Sequence, residues 1–144
     1  MPQEGNLGRK VGRLHYLLTR NLTKNQQAHN TGITADQFRL LTNLWRTDGL
    51  TQQQLADVLG RDRASITRMV DILEKCGLLL RQTDASDRRV NRVFLTEKGK
   101  ELEQTATQVA KQCLEKMTCN FSEEERIQFR SLLDKAIENL VDGV

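Results

Sequence analysis

The chain has 144 residues, 38% of them apolar and 28% charged, with a single proline and 4% aromatics. That length supports one domain with its own core, and the Leu-, Gln-, Glu-, Lys- and Arg-rich runs predict a mostly helical fold rather than a disordered or all-β one. No stretch approaches the roughly 18 to 20 apolar residues of a membrane span, and Met1 to Arg20 is polar where a signal peptide is apolar, so a cytoplasmic protein is expected.

The net charge of +3 is unevenly spread. Met1 to Asp48 carries +4, Gly49 to Leu95 carries +2, and Thr96 to Val144 carries -3. The first two thirds would meet a polyanion, although solvated helix faces produce the same imbalance. Cys76, Cys113 and Cys119 form no CxxC and cannot all pair, so no disulfide framework is expected. Cys113 and Cys119 lie about 240° apart on a helix and read as small buried hydrophobes. Cys76, beside Lys75, is the one thiol with a cation adjacent in sequence and so the candidate for redox chemistry. His15 and His29 lack the partners a zinc site needs, so no metal is expected, and no cofactor.

In chain order, Leu7 to Asn30 carries Val11, Leu14, Leu17, Leu18 and Leu22 as a helical stripe. Thr34 and Gln37 make a capping box for a second helix, with Phe38, Leu41, Leu44 and Trp45 inward and Gly49 as its stop. Thr51 and Gln54 make another, stapled by Leu50 and Leu55, for a short third helix that Gly60 ends. Asp62 caps a fourth, which buries Ile66, Met69, Val70 and Leu73 and stops at Gly77. Two short helices joined by a glycine turn, with Ala56, Gly60 and Ile66 at relative positions 5, 9 and 15, match a helix-turn-helix.

Leu78 to Gln82 and Val90 to Leu95 then read as strands around a polar loop, Thr83 to Arg89, whose tip carries Arg88 and Arg89. Paired arginines on a projecting loop suit a narrow minor groove, whereas an ordinary solvated turn is the plainer alternative. A fifth helix runs from Thr96 to about Met117, with Leu102, Ala106, Val109, Ala110, Cys113, Leu114 and Met117 inward. Ser122 and Glu125 form a third capping box for a last helix bearing Ile127, Leu132, Leu133, Ala136, Ile137 and Leu140. Those apolar faces call for a partner subunit, with the first helix joining them.

The segment Asp87-Arg88-Arg89 through Leu95-Thr96-Glu97-Lys98-Gly99 resembles the D-x-R and L-T-x-x-G run of the multiple-antibiotic-resistance regulator (MarR) family of bacterial winged-helix transcription factors. Leu50-Thr51-Gln52-Gln53-Gln54-Leu55-Ala56, leading into Ala64 to Asp71, resembles the same family. The resemblance covers nearly the whole chain. It implies a mainly α fold with a small β-hairpin wing: a winged helix-turn-helix core at about 34–96, flanked by dimerisation helices at about 7–30 and 97–141, all within one domain. It further implies a homodimer on a near-palindromic operator, acting by default as a repressor and often released by a small aromatic or phenolic effector or by thiol oxidation.

With Ile66, Val70 and Leu73 buried, a 100° step places Arg61, Ala64 and Arg68 on the opposite face, flanked by Ser65 and Thr67. Arg68 suits guanine or phosphate, Ser65 and Thr67 suit phosphates or base edges, and Ala64 leaves room for a thymine methyl. Arg63 joins them at the helix start. By the resemblance, Arg89 is the wing-tip arginine of D-x-R, with Arg88 on the backbone nearby. The first helix has no cysteine, unlike peroxide-sensing members, and two separated histidines do not reproduce a metal-sensing set. That leaves a small organic effector, with His15, Phe38 and Trp45 as pocket candidates whose alternative role is core packing. A dimerising protein-interaction module without specific DNA binding is the second reading. An enzyme is not expected: no Gly-rich phosphate loop or nucleophile with an evident base is present, and Glu123 to Glu125 are explained by the helix macrodipole.

Overall fold

A computed structural model describes residues 2–141, with side chains from residue 6 onward. The described residues form α1 (Pro2–Ala28), α2 (Ala35–Arg46), β1 (Leu50–Thr51), α3 (Gln52–Leu59), α4 (Arg63–Lys75), β2 (Leu79–Thr83), β3 (Asn91–Leu95), α5 (Glu97–Met117) and α6 (Glu123–Val141). By internal contacts the chain divides into two compact units, residues 1–113 and residues 114–144.

Within the first unit the caps do what their residue types demand. Thr34 accepts from the Gln37 backbone N–H while the Gln37 side chain accepts from the Thr34 N–H, and Thr51 and Gln54 repeat the exchange at α3. Asp62 accepts from Ser65 N at 2.7 Å to start α4. Gly60 ends α3 in the left-handed region, at φ 63°, where a side chain would be strained. The short α3 and the α4 that follows therefore cross around one turn and bury Leu55, Ala56, Ile66, Val70 and Leu73 in a common core with Leu40, Leu41 and Leu44 of α2.

The sheet is antiparallel in the order β1-β3-β2. β2 and β3 pair from Leu79↔Leu95 to Thr83↔Asn91, and the alternation buries Val93 and Leu95 while Asn91 faces water. The expected hairpin is present, with its first strand and loop displaced one residue along the chain and its second strand beginning at Asn91. A third strand, β1, was not expected: Leu50 pairs with Val93 and Thr51 with Arg92. Two residues are too few to show a period, and their extended backbone is also that of a residue preceding a helix cap.

The Leu95-Thr96-x-x-Gly99 run acquires physical reasons. Leu95 is buried, and the Thr96 hydroxyl donates to the Gly77 carbonyl at 2.6 Å and accepts from Gly99 N at 3.1 Å, starting α5. A Cβ on Gly99 would overlap the Leu78 carbonyl oxygen, so only glycine lets α5 lie this close to the root of β2. Trp45 Nε1 donates to the Gly99 carbonyl at 2.9 Å, tying α2 to the same point. The buried Gln26 of α1 donates to Ala106 O of α5 at 2.8 Å and accepts from Thr31.

Several boundaries and faces differ from the sequence reading. α1 ends at Ala28, two residues early, where Asn30 turns left-handed at φ 61°, and α2 ends at Arg46 with Thr47 as its cap, before Gly49. Leu114, expected inward, is exposed, whereas the exposure of Leu7, Val11 and Leu14 leaves the α1 stripe open as a face for a partner. Cys113 is buried and accepts from Asn25 Nδ2, but Cys119, expected as a buried hydrophobe, is exposed, because the helix has already ended in a turn there.

In the second unit, Ser122 and Glu125 form the third reciprocal cap, and Phe121 and Phe129 meet edge to face at 5.6 Å. Glu125 accepts hydrogen bonds from the Ser122 backbone N–H and hydroxyl, which hold its carboxyl below the usual range. No described residue of α6 is buried.

The Gly99 approach can be tested against a glycine that has room. Gly60→Ala meets no atom and should cost about 1–2 kcal/mol from its left-handed backbone alone. Gly99→Ala should cost clearly more, measured by urea unfolding; equal losses would show that the Leu78 contact does not limit the packing.

Candidate nucleic-acid interface

The buried stripe of α4 settles the direction of its other face. Arg61, Arg63, Ala64, Thr67 and Arg68 are exposed and Ser65 is half-buried, so the expected contact residues share the outer surface of the helix and its leading turn. Arg61 and Arg68 line one hollow of about 300 Å³ with Asp36, Ser65, Met69 and Ile72. The side chains are already engaged with one another. Arg61 Nη2 bonds Asp36 Oδ2 at 2.8 Å, Ser65 Oγ donates to Asp62 at 3.0 Å, and Arg68 Nη2 donates to Ser65 Oγ at 3.3 Å. The Asp62 carboxyl is held below its ordinary range, first by the Ser65 backbone N–H, then by the Ser65 hydroxyl, with the Arg68 charge adding to both.

Arg88 and Arg89 are exposed at the wing tip, where the Arg89 side chain is 91% accessible and leans on Asp87, Nε to Oδ1 at 3.2 Å. The turn is shaped by Asp84, which accepts from Ser86 N and approaches Arg92 Nη2 at 3.6 Å. The Ser86 hydrogen bond is the main cause of a lowered Asp84 pKa, with Arg92 contributing.

Sequence reasoning missed the residue that joins wing to helix. Arg81, in β2, has a side chain only 21% exposed. Its Nη2 lies 2.6 Å from Asp71 Oδ1 and 3.0 Å from Thr67 O, its Nε donates to Gln52 Oε1 at 3.3 Å, and its Nη1 approaches Glu74 at 3.7 Å. One planar group thus holds β2, α3 and α4 in a fixed relation. A lone arginine after Leu79 and Leu80 is the only local trace of it.

The pocket candidates separate. Phe38 and Trp45 meet edge to face at 5.9 Å and pack against the core, as their alternative role required, while His15 is exposed on α1. A cavity of about 520 Å³ lies elsewhere, lined by His29, Ile33, Cys76, Leu78, Lys98 and Leu102 among others. Cys76 is exposed at its edge. Among the described residues no cluster of three or more His, Cys, Asp or Glu could hold a metal, and no helix is long and apolar enough to cross a membrane.

A model of the MarR family matches residues 33–90, from the residue before the α2 cap to the far side of the wing tip. A MarR transcriptional regulator from Methanosarcina mazei Go1 is 32% identical, with a TM-score of 0.87 over 95% of this chain and 97% of that one. The chain belongs to the MarR family. Members of this family are transcriptional regulators, not enzymes. A cysteine-to-serine mutant of MarR from E. coli, solved complexed with operator DNA, is 27% identical, with a TM-score of 0.82 over 91% of this chain and 93% of that one. The uncharacterized HTH-type transcriptional regulator YdgJ of Bacillus subtilis (strain 168) is 33% identical over 104 residues, 72% of this chain. The match spans 62% of that relative, under two thirds of its length.

Arg81→Ala should lower stability by about 1–2 kcal/mol, because the carboxylates it meets are half exposed, and Arg81→Lys should not restore it, because an ammonium lacks the planar fork. Thermal unfolding of the two variants checks this; full recovery in the lysine variant would reduce Arg81 to a point charge. The Asp62 cap has a pH signature. Its folded pKa is lowered, so its stabilisation is present above the ordinary aspartate value of about 3.9 and is lost as pH falls through the lowered folded value. Asp62→Asn, which still caps, should flatten that part of the acid unfolding curve, and an unaltered curve would remove Asp62 from it.

Proposed function

We propose that this MarR-family protein is a sequence-specific DNA-binding repressor that acts as a homodimer on a near-palindromic operator. The observation that carries the reading is the outer surface of α4 and its leading turn, where Arg61, Arg63, Ala64, Thr67 and Arg68 are exposed beside the half-buried Ser65, on a helix braced to the wing through Arg81. α4 is the element that enters the major groove, and Arg88 and Arg89 at the wing tip reach the adjacent backbone or minor groove. The related E. coli protein solved with operator DNA supports the same use of the fold.

The homodimer draws support from apolar side chains left in water. Leu7, Val11 and Leu14 of α1 are exposed, and Ile127, Leu132, Leu133, Ile137 and Leu140 of α6 are exposed, Leu140 at 81%. A second copy covering these faces sets two α4 helices about one helical turn, or roughly 10 bp, apart on the duplex. Release by a small aromatic or phenolic effector belongs to this reading, with the cavity beside Cys76 and Lys98 as one space that could receive it. A cytoplasmic location belongs to it as well.

Selection of bound duplexes from a random pool by purified protein, at about 150 mM salt, should enrich an inverted repeat. Arg68→Ala and Arg89→Ala should each weaken that duplex by about tenfold at fixed salt, within the range of one good arginine contact. Losses within about twofold would overturn the contact assignment. Enrichment of nothing beyond background would leave a dimerising interaction module in its place.

A further inference from the structure

Thr67 stands on the exposed face of α4, and its hydroxyl is not free to choose its role. Gln52, the first residue of α3, is buried at 9% exposure and has a partner on each atom of its side-chain amide. Its Nε2 donates to Thr67 Oγ1 at 3.1 Å, and its Oε1 accepts from Arg81 Nε at 3.3 Å. The two ends of an amide have nearly the same outline, so their neighbours decide which is oxygen. Here Arg81 decides it. A guanidinium has only donors, so the atom facing it must be oxygen and the nitrogen must face Thr67. A hydroxyl that accepts from an N–H keeps its own proton for another partner, and among the described residues the Thr67 hydroxyl donates to none.

The placement of Gln52 is itself firmly determined. Thr51 before it is at once the cap of α3 and the β1 residue paired with Arg92 of β3, and Arg81 is anchored separately on Asp71 and the Thr67 carbonyl. The amide is held from both sides by elements of the core.

We infer that Gln52, oriented by Arg81, is a positioning residue that sets the Thr67 hydroxyl as a hydrogen-bond donor toward DNA, giving a preference for a base edge that presents an acceptor. The inference rests on α4 being the groove-entering helix. In the major groove the acceptors are purine N7, guanine O6 and thymine O4, while cytosine N4 and adenine N6 are donors.

Gln52→Glu reverses the polarity while keeping the shape. The carboxylate accepts from Arg81 as the amide oxygen did, and it also accepts the Thr67 proton, so Oγ1 then presents only lone pairs to the groove. The added negative charge weakens binding to every duplex alike, and the readout is therefore base preference rather than affinity.

Wild type, Gln52→Glu, Gln52→Leu and Thr67→Val are each enriched against the same random pool at the same salt, with melting temperature measured alongside. Wild type should show one position per half-site where acceptor-presenting bases are favoured about three- to tenfold, the span of one hydrogen bond. Thr67→Val should lose that preference alone. Gln52→Glu should move it toward cytosine, whose major-groove edge presents only a donor, and Gln52→Leu, which frees the hydroxyl to turn, should blur it with or without the glutamate variant folding. Unchanged preference at every position in the Gln52 variants, or in Thr67→Val, overturns the inference while the DNA-binding reading stands. A wild-type protein that enriches nothing overturns that reading and the inference with it.

Discussion

Whatever the outer face of α4 does depends on its inner face being out of water. Ile66, Val70 and Leu73 lie on one stripe and are almost fully buried against α2, α3 and the sheet, each such side chain contributing roughly 1.5–3 kcal/mol. Because the helix has one apolar stripe, that burial fixes its rotation about its own axis to within a fraction of a turn. Ala64, Thr67 and Arg68 face solvent as a geometric consequence of that rotation. A polar substitution at Ile66 would thus act on the outer face through the loss of orientation, not only through stability.

Burial fixes rotation but leaves the helix free to slide and tilt, and polar anchors remove that freedom. The Asp62 cap fixes where α4 begins, Gly60 fixes the turn before it, and Arg81 holds its middle through the Thr67 carbonyl and Asp71. The same guanidinium belongs to β2, so the wing root cannot move without straining the outer face of α4. The close packing of Gly99 on Leu78 anchors the other end of that strand to α5. The L-T-x-x-G run is therefore an architectural joint: a buried leucine, a threonine cap and a glycine that admits a carbonyl.

The helices were legible because their starts are chemical statements. Thr34 with Gln37, Thr51 with Gln54 and Ser122 with Glu125 form reciprocal bonds that depend only on residues three apart, and all three exist. The outer face of α4 followed from periodicity alone, and the wing from two short strands around a polar loop. What stayed hidden was tertiary. Gln52, Thr67 and Arg81 are 14 to 29 residues apart and meet only after α3, α4 and β2 are packed, so no local pattern announces them. β1 was hidden for the opposite reason, being too short for any pattern. Periodicity also has a limit: the stripe on α1 shows which face seeks burial but not what covers it, and Leu7, Val11 and Leu14 remain in water within this chain.

The same reasoning bears most heavily on α6. It has a good cap and acidic residues in its first turn, yet no described residue of it is buried. A 19-residue helix with these advantages is only marginally stable in water by itself, since most helical stability in proteins comes from an apolar face packed against something else. Ile127, Leu132, Leu133, Ile137 and Leu140 constitute such a face, and leaving it exposed forfeits several kcal/mol of burial. If a second copy supplies the cover, folding of α6 and dimerisation become one equilibrium. The orientation of α4, by contrast, is secured inside the first unit by the burial of its own apolar stripe.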